Sequence, residues 1–117
     1  MFYKKLLILV LFFIPLCVSA KTVHSTIQLS VVGISDMSRT VFMFSEEPME
    51  NSPCGGKKLL RYDIDKENSL WKEVYSTALT AWVSKSKVMV GYDDDVNNCY
   101  GGAEGDSPRI VNIRLVR

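Results

Sequence analysis

A single segment with helical periodicity lies between segments that alternate like β-strands, and this order restricts the possible fold more than any other feature. Apolar residues recur at helical spacing from Trp71 to Trp82, and polar residues occupy the opposite face. Asn68 or Ser69 is expected to cap this helix, because their side-chain oxygens can accept amide hydrogens of the first turn. We expect both tryptophans to pack in the core; stacking of either one against a ligand is the alternative. The apolar stripe consists of Leu70, Trp71, Val74, Tyr75, Ala78, Leu79 and Trp82.

Five segments alternate between apolar and polar residues with the period of two that is typical of half-buried strands. Three precede the helix and two follow it: Thr22–Ile34, Thr40–Phe44, Lys58–Ile64, Lys87–Tyr92 and Arg109–Val116. The first strand is predicted to present one face made of Val23, Ser25, Ile27, Leu29 and Val31. The last is predicted to present Val111, Ile113 and Leu115 together, with Ile110 on the other face. Irregular loops are predicted over Glu46–Gly56 and Asp93–Pro108.

The order strand-strand-strand-helix-strand-strand predicts a mainly β fold with one helix. In a chain this short, it favours a five-stranded Greek-key barrel of the OB-fold type, with the helix between strands three and four. The alternative is an α+β roll, in which one open antiparallel sheet packs against the helix. We favour the barrel because closure leaves less strand edge unpaired.

The first twenty residues are typical of a secretory signal peptide. Met1–Ala20 begins with Lys4 and Lys5, continues as an apolar run to Leu16, and ends in residues that a signal peptidase tolerates. We therefore expect residues 21–117 to form one exported domain, periplasmic or secreted. The alternatives are an uncleaved N-terminal anchor and, because of Cys17, a lipoprotein; Leu16 before that cysteine is too large for the usual lipidation pattern.

Two cysteines follow the predicted signal, and an even number in an exported domain favours a disulfide between Cys54 and Cys99. The closed loop of 46 residues would stabilise the fold by about 4 kcal/mol on the chain-entropy model. Two free thiols are the alternative. The chain has no C-x-x-C motif and no cluster of cysteine and histidine with zinc spacing, since His24 is its one histidine.

The charge balance argues against nucleic-acid binding. Lys4 and Lys5 are two of the 14 basic residues and all 13 acidic residues follow position 20, so residues 21–117 carry a formal net charge of −1. Catalysis has equally little support, because His24 has no evident nucleophilic partner and the carboxylates cluster in predicted loops. We expect a non-catalytic protein without a cofactor.

One acidic loop resembles a calcium-binding pattern. Asp93, Asp95 and Asn97 follow the spacing of the first three ligands, and Glu104 falls at the twelfth position. Asn98 replaces the usual glycine at position six. The loop is therefore a candidate calcium site, with a solvated acidic loop as the alternative.

The stretch from Cys54 to Cys99 resembles the B subunits of the subtilase cytotoxin and pertussis-like toxin group, and related small exported Gram-negative proteins. The resemblance rests on Asn68–Trp71, on Tyr75–Ala81 with its Tyr-x-x-Ala-Leu-x-Ala pattern, and on the strand Lys87–Tyr92 before Cys99. It departs from that group at Ser84–Lys87, where a glycine is frequent, and at Asp93–Asp95. No sugar-binding residue of the group is matched to a position here.

The resemblance implies an OB-fold subunit that assembles as a ring of five, binds cell-surface glycans and carries a separate toxic A subunit. Small polar residues on the predicted exposed helix face are compatible with close packing in such a ring. A monomeric periplasmic accessory or inhibitor protein is the alternative function. The two differ in oligomeric state and in the chemical class of their ligands.

Overall fold

The computed structural model describes residues 22–101 and 107–116, which form five strands and one α-helix in the predicted order. The strands are β1 (Thr22–Ser35), β2 (Thr40–Ser45), β3 (Leu59–Asp63), β4 (Lys87–Asp93) and β5 (Ile110–Leu115), and helix α1 spans Trp71–Ser84. The predicted signal Met1–Ala20 lies outside these ranges. None of the helices in them has the length and hydropathy that spanning a membrane requires.

The sheet has the strand order β3-β2-β1-β4-β5, and every neighbouring pair is antiparallel. Strand β1 is long enough to pair with β4 through its first half and with β2 through its second half. The two outer strands meet through a parallel bridge between Arg61 and Arg109, where the Arg61 amide donates to the Pro108 carbonyl at 3.4 Å. This contact closes the predicted barrel and distinguishes it from an open sheet.

The core lies inside the barrel and beneath α1. Leu60 and Tyr62 of β3 face inward, and so do Val88, Val90 and Tyr92 of β4. Helix α1 covers the core with side chains that are small or branched at Cβ, which lets its backbone approach the strands closely. The buried apolar cluster is Ile27, Leu29, Val32, Val41, Met43, Met49, Leu60, Tyr62, Val74, Ala78, Ala81, Val88, Val90, Tyr92 and Ile110.

Two bulges make part of the predicted face assignment wrong. In β1 the register shifts between Leu29 and Val31, so Val32 is buried while Val31 is 41% exposed. In β5 the register shifts opposite Gly91 and Tyr92, so that Ile110 is buried whereas Val111, predicted to share a face with Ile113 and Leu115, is exposed. Each bulge adds one residue to a strand and reverses the alternation beyond it, which bends the strand around the barrel.

The start of α1 differs from the predicted cap. Leu70 is the cap residue, and it supplies no side-chain hydrogen bond. The Ser69 hydroxyl donates to the Asp63 carbonyl at 2.8 Å instead, and the Leu70 amide donates to the Tyr62 hydroxyl at 3.0 Å. Tertiary contacts with β3 therefore replace the local cap, because both Asp63 and Tyr62 lie within reach of the turn that leads into the helix.

Candidate binding grooves

A groove of about 440 Å³ opens where β1, the loop after β2 and the end of α1 meet. We call it the first groove, and its walls are Gln28, Leu29, Ser30, Glu46, Trp82 and Lys85. Its volume lies within the range of pockets that hold small ligands. Ser30 is the bulge residue of β1, which has no partner in the β1–β2 register.

Local backbone geometry holds both sides of the first groove in place. Lys85 takes a left-handed conformation with φ of 56°, and the following amide of Ser86 donates to the Ala81 carbonyl at 2.9 Å. This turn ends α1 beside β1. On the other side, the Glu46 amide donates to the Gln28 carbonyl at 2.8 Å, which ties the loop after β2 to β1.

Trp82 lies on the wall of the first groove and is 40% exposed, so the prediction that it packs in the core is wrong. The buried face of α1 consists of Val74, Ala78 and Ala81. Because Trp82 directly follows Ala81 in the helix, it lies at the edge of the contact between helix and barrel. Trp71, in contrast, is partly buried and packs against the core, as predicted. In the last turns of α1, Ala81 rather than Trp82 therefore faces the core.

Most polar side chains of the first groove are not hydrogen-bonded to other described residues. Within the described residues, the side chains of Gln28, Glu46 and Lys85 make neither a hydrogen bond nor an ion pair. Ser30 donates weakly to the Phe44 carbonyl at 3.3 Å, which leaves its oxygen able to accept. The groove thus combines an exposed indole with an amide, a carboxylate, a hydroxyl and an ammonium group.

A second groove of about 410 Å³ adjoins the first at Gln28, which lines both. It is lined by β1 from His24 to Gln28, by the loop after β2 and by Lys87 of β4. Strand β1 pairs with β4 along this half and meets β2 only from Leu29 onward, so the loop 47–51 borders its other edge. The lining side chains of that loop are Glu47, Pro48, Met49, Glu50 and Asn51.

The structure contains the predicted disulfide between Cys54 and Cys99, with both cysteines buried and their Cα atoms 5.9 Å apart. It joins the loop after β2 to the loop after β4. Of these two predicted loops, the first supplies Glu46 and residues 47–51 to the grooves, whereas no described residue of the second lines either groove.

The loop after β4 is held in place by a cluster of side chains around Asp63. The Asp63 carboxylate accepts a hydrogen bond from the Tyr100 hydroxyl and another from Arg109 Nη1 at 2.6 Å. The Arg109 guanidinium lies 3.9 Å from the centroid of the Tyr100 ring and also donates to the Asn98 carbonyl at 2.9 Å. Burial, followed by the hydrogen bond to Asp63, raises the pKa of Tyr100 well above its ordinary value, so its hydroxyl stays protonated as a donor.

The candidate calcium ligands are engaged in turns of the acidic loop. Asp93 accepts from the Asp95 amide at 2.9 Å and from Asn98 Nδ2 at 2.7 Å, and Asp95 accepts from the Asn97 amide at 2.9 Å. Glu104, the fourth predicted ligand, lies outside the described residues. In the ranges 22–101 and 107–116, no three histidine, cysteine or acidic side chains are grouped as metal ligands. The calcium site stays a prediction.

Sequence reasoning missed three of the polar groove residues, Gln28, Ser30 and Lys85, whereas Glu46 lies in the predicted loop Glu46–Gly56. Their positions are far apart in the chain, and no spacing motif connects them. Comparison with models of protein families and with curated proteins finds no match for this chain. The grooves themselves are therefore the basis for a functional proposal.

Proposed function

We propose that this chain is an exported, non-catalytic binding protein that recognises a saccharide in the first groove. The observation that carries the proposal is Trp82, a large indole left 40% exposed beside Gln28, Glu46 and Lys85, whose side chains make no hydrogen bond or ion pair with another described residue. A sugar ring has an apolar C–H face and a rim of hydroxyl groups. An aromatic face with hydrogen-bonding side chains around it complements both parts.

Each groove side chain has a definite place in such a complex. The indole of Trp82 stacks against the C–H face of the sugar. Glu46 accepts hydrogen bonds from two neighbouring hydroxyl groups, while Lys85 donates to a hydroxyl or ring oxygen. Gln28 both donates and accepts, which suits a hydroxyl group that does the same.

We also propose that the subunits associate in a ring, which accords with the resemblance to toxin B subunits. Exposed apolar side chains at two places support this: Val31 and Phe44, which are paired across β1 and β2, and the separate residues Val111 and Leu115 of β5. They lie on strands that are not neighbours in the sheet. A contact between unlike surfaces is heterologous, and heterologous contacts generate a ring when the rotation closes.

The test of saccharide recognition is an oligosaccharide array probed with protein purified after export of the full chain. The array carries glucose, galactose, mannose, N-acetylglucosamine and sialic acid as terminal sugars. Wild-type protein and Val83→Ala should bind the same spots, because Val83 is 78% exposed on α1 but lines neither groove. Trp82→Ala and Glu46→Gln should lose binding at least tenfold while they keep the circular dichroism of the wild type.

Native mass spectrometry of the same protein tests the association. A mass of five subunits supports the ring. A monomer at micromolar concentration, together with an array on which no spot binds, would overturn both parts of the proposal and favour a periplasmic accessory or inhibitor protein instead.

A further inference from the structure

We infer that the second groove is a second sugar subsite, so that the ligand is a linear, uncharged oligosaccharide of at least two units lying across Gln28. This inference rests on the proposed saccharide binding in the first groove. It adds the length of the ligand, its charge and the residues that select it.

The two grooves are adjacent parts of one surface. Gln28 lines both, and its cross-strand neighbour in β4 is Lys87, which lines the second. The loop after β2 continues from Glu46 on the first groove to Asn51 on the second. A ligand that leaves the Trp82 end along β1 therefore enters the second groove without leaving the protein surface.

The described lining of the second groove offers polar groups and no tryptophan, tyrosine or phenylalanine ring. Thr26 and His24 project from β1, and Asn51 and Glu50 face them from the loop. Within the described residues, the side chains of Thr26, Asn51 and Glu50 make no hydrogen bond to another side chain. They can exchange hydrogen bonds with the hydroxyl groups of a sugar that the first groove already holds.

The charges along both grooves disfavour an acidic sugar. Three carboxylates line them, from Glu46, Glu47 and Glu50, against the two ammonium groups of Lys85 and Lys87. An added carboxylate or sulfate would face this excess of negative charge at short range. A neutral oligosaccharide avoids that repulsion and still uses every carboxylate as an acceptor.

The experiment is an array that carries each neutral terminal sugar as a monosaccharide, a disaccharide and a trisaccharide, with a sialylated form of each trisaccharide. We expect disaccharides to bind about tenfold more tightly than the matching monosaccharides, since several hydrogen bonds are added. Asn51→Ala should reduce that advantage about three- to tenfold and leave monosaccharide binding unchanged. Glu67→Gln, an exposed residue outside both grooves, is the matched control.

The outcomes distinguish the second sugar subsite from saccharide binding in the first groove. Binding of monosaccharides as tight as that of longer forms would overturn the second subsite and leave the first groove intact. An equal loss of monosaccharide and disaccharide binding in Asn51→Ala would do the same. Tighter binding of the sialylated forms would overturn the inferred charge. If no saccharide binds, the first-groove proposal fails, and the inference fails with it.

Discussion

Replacing Gly33 with alanine is expected to destabilise the barrel through a clash with one aromatic ring. Gly33 lies opposite Phe42 in the β1–β2 register, and a Cβ atom on Gly33 would lie 2.7 Å from Phe42 Cζ and 2.9 Å from Cε1. The Phe42 ring packs edge-on against Phe44, with the ring centroids 6.2 Å apart. The Phe42 ring has to shift to make room, and this shift disturbs its contact with Phe44. Overpacking of this kind costs roughly 1–3 kcal/mol of the free energy of unfolding.

Gly91 is the matched control, because it also lies in a strand of the barrel. A Cβ atom there would lie 2.7 Å from Asn112 Oδ1, which is the end of an exposed and flexible side chain. Because Asn112 Cγ would also lie within 3.0 Å, the whole amide group has to swing away by rotation about the Cα–Cβ bond, which an exposed side chain can do. Gly91→Ala should then stabilise the protein by about 0.4–1 kcal/mol, because alanine restricts the unfolded chain more than glycine does.

Urea unfolding followed by circular dichroism measures both effects. Gly33→Ala should lower the midpoint and Gly91→Ala should raise it, with unchanged slopes. In a Phe42→Leu background, which removes the ring, the cost of Gly33→Ala should fall below about 0.5 kcal/mol. An equal cost of Gly33→Ala in both backgrounds would refute the reasoning, as would a larger cost for Gly91→Ala than for Gly33→Ala.

Three further changes test other parts of the structure. Replacing Cys54 and Cys99 together with alanine should lower the free energy of unfolding by about 4 kcal/mol in urea titrations, and adding reductant should then have no further effect. In the unfolded chain Tyr100 loses its proton at about pH 10, whereas in the folded protein it keeps the proton, so the free energy of unfolding should fall as the pH rises above that value. This fall should be smaller in Tyr100→Phe. A fall of the same size in the variant would contradict the role of the contact with Asp63. Lys85→Gly relieves the strain of a left-handed residue and should raise the melting temperature by several degrees while weakening saccharide binding. A lower melting temperature would contradict this account of the turn.

The order of strands and helix was predictable because each element repeats its own period over several residues. Leu60 and Tyr62 of β3 show this: they alternate with outward residues, and both are buried. The bulges were not predictable in the same way. Ser30 carries no mark that distinguishes it from a regularly paired residue, and one inserted residue reverses every face that follows.

The candidate site was less predictable than the fold. Trp82 satisfies a helical spacing, but spacing alone does not reveal that Ala81 faces the barrel and turns the indole outward. Glu46 and Gln28 meet through a backbone hydrogen bond between residues far apart in the chain. Such a groove arises from tertiary packing, whereas the disulfide followed from counting cysteines and from the inferred compartment.

The central claim is that a saccharide stacks on Trp82, and fluorescence of that residue tests it most directly. The chain has two tryptophans, so Trp71→Phe leaves Trp82 as the single reporter. Titration with the saccharide that binds most strongly on the array should shift the emission of Trp82, and the shift should saturate. When Glu46→Gln is added to this variant, the saccharide concentration needed for half of the shift should rise at least tenfold. Saccharide binding without any change in Trp82 emission would place the ligand elsewhere and contradict the account.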